Sequence, residues 1–199
     1  MKTAQFLSAS AVLALAAAAL PAHATISIYA VTLDGPSESP ANASPGTGSA
    51  TVIIDDVLNT LSLSVSFSGL TGTTTASHIH CCTTLAGAGT AGVATTTPTF
   101  LGFPLGVTSG SYSVVLDETL AGSWNPAYIT ANGGTPATAF AAMLAGINAG
   151  KAYLNIHTST FGGGEIRGFL VPVPEASSWA MMLGGLAAVG ALARRRRAA

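Results

Sequence analysis

Leu61, Leu63, Val65 and Phe67 alternate strictly with Ser62, Ser64, Ser66 and Ser68. Successive side chains of a strand point to opposite faces, so this period of two predicts a half-buried strand with its serines outward. The β-rich segments 26–33 (ISIYAVTL), 49–55 (SATVIID) and 111–116 (SYSVVL) predict further strands. So do 76–80 (ASHIH), 151–157 (KAYLNIH) and 165–171 (EIRGFLV). Between them, 34–48 is a loop broken by Pro36, Pro40 and Pro45. Residues 83–110 form a long loop whose apolar stretch PTFLGFPLG is expected to pack on the core. The glycine-rich turn 161–164 is expected to join the last two strands as a hairpin.

The period changes once. Thr135 and Pro136 suit the N-cap and first position of a helix, Phe140, Met143, Leu144 and Ile147 follow at helical spacing, and Gly150 supplies a stop. An amphipathic helix is therefore predicted over 136–149, packed on the sheet. Short strands with long crossings predict a mainly β domain. The expectation is an antiparallel β-sandwich with Greek-key-like connections and one short helix inserted between two late strands.

Both ends of the chain leave this pattern. Lys2, the apolar run 6–20 and Ala22-His23-Ala24 have the order of a secretory signal peptide, residues 1–24, which hands the chain to the general secretion machinery. At the other end an uncharged apolar run precedes Arg194, Arg195, Arg196 and Arg197. Ser177 to Ala193 is about 17 residues, the lower limit for a transmembrane helix, and the arginines should stay on its cytoplasmic side. What lies between, 25–172, is long enough for one domain with a core.

The tail resembles the PEP-CTERM sorting signal. Pro174 and Glu175, an apolar helix and the cluster Arg194–Arg197 occur in that family's order, with Ala176 where proline is usual. The resemblance implies transient residence in the inner membrane and recognition and cutting by an exosortase, a membrane protease. Delivery to the cell surface or beyond follows. The family's association with exopolysaccharide production implies a place in the extracellular matrix, beside exopolysaccharide or other surface proteins.

The arginine tail masks the charge of the domain. Between 25 and 172 seven acidic residues face two basic ones, Lys151 and Arg167, a net charge near −5 against −1 for the whole chain. Nucleic acid, which needs clustered lysine and arginine, is excluded as a partner. The only cysteines, Cys81 and Cys82, are adjacent and so do not staple distant strands. A vicinal disulfide, intermolecular pairing, free thiols and metal ligation all remain open.

Ser77-His78-Ile79-His80, the strand ending Asn155-Ile156-His157-Thr158, and Gly164-Glu165-Ile166-Arg167-Gly168 together resemble the CHRD domain. The resemblance runs from about 26 to 170 and departs at Cys81-Cys82, where the family commonly has glycine. It implies an immunoglobulin-like β-barrel and no established catalytic activity.

Read directly, His78 and His80 share one strand face, and a neighbouring strand could bring His157 to them. Three imidazoles suit copper or zinc, and a thiolate from Cys81 or Cys82 would strengthen either. Alternatively, the rings satisfy backbone carbonyls. Glu165 and Arg167 are expected to pair with each other or with turn amides, and Asp55-Asp56 and Asp117-Glu118 to occupy a turn and a helix start. No nucleophile elbow, phosphate loop or catalytic carboxylate pair stands out. The expected function is therefore a non-enzymatic surface or matrix protein without a required cofactor. The alternative is a copper, zinc or redox protein using His78, His80, His157 and the cysteine pair.

Overall fold

The computed structural model describes residues 26–174 and residues 185–186. The signal peptide, the apolar run of the tail, Glu175 and Arg194–Arg197 lie outside the described residues. Among the described residues, no helix is long and apolar enough to cross a membrane.

The first three strands, β1 (Ile26–Asp34), β2 (Thr47–Asp55) and β3 (Thr60–Ser68), are nine residues each and pair as an antiparallel meander. β5 (Gly110–Asp117) continues the meander beyond β3. Alternation carries straight across these strands. Tyr29, Val52, Leu63 and Val114 share one register row, and Val31, Ala50, Val65 and Tyr112 another. Leu61, Leu63, Val65 and Phe67 are all buried, as their spacing predicts.

On the other side of β1 the sheet goes on through β7 (Ile166–Phe169), β6 (Tyr153–Thr158) and β4 (Thr74–His80), while β8 (Val171–Pro172) adds a short pairing to β1. The order is β4-β6-β7-β1-β2-β3-β5. Of the expected antiparallel β-sandwich or immunoglobulin-like barrel, the mainly β, antiparallel and barrel-like character holds, while the sandwich of separate sheets does not. All the strands belong to one antiparallel sheet, which curls into a half-barrel. Twist of one hand accumulates along a sheet of this width and curls it, so one concave face can enclose a core without a second sheet.

Helices and a long loop fill that face. α2 (Pro136–Asn148) has Thr135 as its N-cap in a reciprocal capping box with Thr138, and it buries Phe140, Met143 and Ile147 in the common core. A shorter helix, α1 (Pro126–Ala131), was not apparent from periodicity. It is capped by Asn125, whose side chain accepts from the Ala127 amide, and Pro126 opens it. In the long loop Phe100 and Phe103 enter the core, whereas Leu101 and Leu105 stay exposed. The same loop shields the outer edge of β4, with amides of Ala94 and Thr95 donating to the Ile79 carbonyl and that of Phe100 to Ser77. A covered edge removes a template for unwanted strand pairing.

Candidate metal centre

β4, β6 and β7 differ from the meander in being buried on both faces. Ile79, Leu154 and Gly168 share a register row, and Ile79 and Leu154 belong to the core. The intervening rows are His78–Asn155–Arg167 and His80–Tyr153–Phe169, with His157 opposite Ala76. Alternation thus sends the histidines, Asn155, Tyr153 and Arg167 to the face away from the core. Two loops roof that face. Ser37 and Gly89 accept from Arg167, Ala91 and Pro98 meet His80 and His78, and the Asn42 side chain donates to the Glu165 carbonyl.

The sequence expectation that His78, His80 and His157 converge holds in this geometry. Their potential ligand atoms lie within 4.8 Å of one another, with ring centroids 5.2–5.7 Å apart. Each ring spends one nitrogen on a backbone carbonyl: His78 Nε2 on Pro98, His80 Nδ1 on Ala91 at 2.9 Å, and His157 Nδ1 on Gly162 at 3.0 Å. A carbonyl only accepts, so each of these nitrogens carries the proton and the tautomers are set. The other nitrogens, His78 Nδ1, His80 Nε2 and His157 Nε2, are buried and have no hydrogen-bond partner.

Burial disfavours the imidazolium form of all three. It holds His80 down at about 4 and pushes His78 and His157 below the ordinary 6.5, the carbonyl bonds opposing it in part. At neutral pH the pocket presents three uncharged imidazoles with free lone pairs. Backbone carbonyls holding the far nitrogens are the outer-shell arrangement that orients metal-binding histidines. Three nitrogens placed 2.0–2.1 Å from one ion would lie about 3.5 Å apart, so binding would draw the rings somewhat closer than they stand here.

Cys81 and Cys82 are not members of this group. They form a vicinal disulfide, so neither offers a thiolate, which corrects their expected role as ligands in the metal-binding alternative. The bridge sits against α2 at Gly146, where an added Cβ would collide with both sulfurs.

Glu165 and Arg167 serve different partners. Glu165 is fully buried and accepts from the Ser44 and Thr158 hydroxyls and the Thr71 and Gly72 amides. Burial raises its pKa, but these four bonds together outweigh that and leave it below the usual carboxylate value. The turn-amide expectation for Glu165 is therefore met, and the direct pair with Arg167 is not. Arg167 instead lies 3.7 Å from Glu38 and stacks its guanidinium 4.7 Å above the Tyr153 ring. Glu38 is the member of this network that sequence reasoning passed over. It lies in a Pro/Gly loop with no periodicity to mark it, and burial lifts its pKa to about 7 despite Arg167.

Comparison with known families agrees with the architecture. The CHRD domain family matches residues 29–170, and the chain belongs to that family. The PEP-CTERM protein-sorting motif matches residues 172–197, directly after it. That motif marks the chain for export, exosortase processing and sorting to the cell surface or beyond. No curated protein and no solved structure matches the chain.

Proposed function

We propose that this chain is a non-enzymatic, surface-displayed CHRD domain that holds one copper or zinc ion. His78, His80 and His157 are the ligands. One observation carries the reading: the three rings come together with one nitrogen of each within 4.8 Å of the others, each ring has one nitrogen on a carbonyl, and the other is buried without a partner. Leaving one buried polar atom unpaired costs about 1–3 kcal/mol, and grouping three in one place needs a compensating ligand. Sorting by an exosortase delivers the domain to the exterior, and we place it in or beside the exopolysaccharide matrix. On the outer side of the meander the row Thr32-Ser49-Ser66-Ser111 and the residues Thr51, Ser64 and Ser113 beside it suit contact with a hydrated polymer, next to an exposed apolar row of Ile28, Ile53 and Val115.

Metal analysis of the protein recovered from its native cell surface tests the reading. About one equivalent of copper or zinc per chain is expected, and a His157→Ala variant should carry none. Metal-free native protein that also takes up neither ion in vitro would overturn it.

A further inference from the structure

We infer that the three-imidazole pocket selects cuprous copper over cupric copper and zinc. This inference rests on the metal-binding reading above and specifies its ion. The argument is one of charge. The ligand group consists of three neutral rings, and among the described residues no carboxylate or thiol belongs to it. The two sulfurs that could have been anionic are joined to each other. Glu165 already accepts four hydrogen bonds, and Glu38 faces Arg167. Beside the pocket stands a positive charge: Arg167 lies over Tyr153, whose ring stacks on His80. A bound ion therefore keeps its full charge in a desolvated site. The cost of burying charge grows with its square, so a divalent ion suffers about four times the penalty of a monovalent one.

Coordination number points the same way. Zinc takes four ligands, using solvent where the protein supplies three, and cupric copper favours a tetragonal set. The free nitrogens of this pocket are sealed from solvent, so water has no ready path to a fourth position. A monovalent d¹⁰ ion is content with three nitrogens in a plane.

The test uses the full-length protein purified from cells, under argon. Cuprous ion is added as its acetonitrile complex, without reductant, in competition with bathocuproine disulfonate. Zinc and cupric ion are titrated separately against chromophoric chelators. One equivalent of cuprous ion is expected, bound roughly 100-fold or more tightly than either divalent ion. The affinity should fall at least tenfold in His78→Ala and in His157→Ala, each checked for folding by circular dichroism. Thiol titration afterwards should find no free thiol. Divalent binding as tight as cuprous would overturn the selectivity and leave the metal site standing. Cuprous binding that survives both histidine changes would place the ion elsewhere and overturn the inference. Binding of no ion at all would overturn both readings.

Discussion

His80 and Tyr153 stack with their ring planes 4° from parallel and 4.8 Å between centroids, and both hydrogen-bond the same carbonyl, that of Ala91. The tyrosine hydroxyl also accepts from the Ala91 amide. One loop residue thus fixes the tautomer of a candidate ligand and is itself held by that ligand's stacking partner. Tyr153→Phe keeps the stack and removes the hydroxyl. Metal affinity is expected to fall about 10- to 100-fold, the usual effect of losing an outer-shell partner. The apo protein should melt within a few degrees of the parent. Chelator competition and thermal unfolding measure the two separately, and an unchanged affinity would mean that the Ala91 loop does not position His80.

Gly146 should not tolerate a side chain. Its added Cβ would meet Cys81 and Cys82 Sγ on one side of α2. Gly146→Ala is expected to destabilise the domain by about 1–3 kcal/mol, the range for overpacking a filled core. In a Cys81→Ala, Cys82→Ala background the same change should cost much less. Denaturant melts of the four proteins give the coupling, and strict additivity would show that the helix does not rest on the bridge.

Much of this architecture was legible because its signals are local. Strict alternation placed β3, β-rich composition placed the other long strands, and Thr135, Pro136 and Gly150 bracketed α2. Sheet topology was not legible. Nothing in a strand's own alternation says whether its buried face meets a second sheet or the curl of its own, and the expected sandwich failed there. The histidine trio was legible as residue types on shared faces, but its quality as a site lies elsewhere. Pro98, Ala91 and Gly162 contribute only backbone carbonyls, which any residue would supply. Glu118 shows the opposite failure: beside Asp117 it looked like a helix-start acid, yet it lies 1% exposed in the interior.

The turn between β6 and β7 depends on one glycine of its three. Gly164 has φ +132°, and its added Cβ would press on Asn155 and Glu38, whereas Gly162 and Gly163 have open space. Gly164→Ala should therefore destabilise the domain by roughly 1–3 kcal/mol and weaken the pocket through Asn155, which shares a register row with His78. Gly162→Ala and Gly163→Ala should stay within about 0.5 kcal/mol of the parent. Equal losses at all three positions would show that the turn needs general flexibility and not one left-handed residue.

Glu118 should make the protein less stable as pH rises. Neither of its carboxylate oxygens has a hydrogen-bond partner, and burial, with a smaller push from Asp117, lifts its pKa to about 8. In the unfolded chain the group titrates near 4.5, so above that pH the folded state holds the extra proton. Its stabilising share is complete below about 4.5 and is lost as pH climbs through about 8. The histidines oppose this up to about one pH unit above their ordinary 6.5, because burial depresses their folded values and the unfolded rings still take up protons there. The clean window is therefore about pH 7.5 to 8.5, where Glu118 and, to a smaller extent, Glu38 dominate. Stability there should fall by up to about 1.4 kcal/mol per pH unit for each proton involved. Glu118→Gln keeps the shape without the charge and should flatten most of that slope while raising stability at pH 8. Urea melts across the window measure it, and a parent whose stability rises between about pH 7.5 and 8.5 would show that Glu118 is ionised in the folded protein.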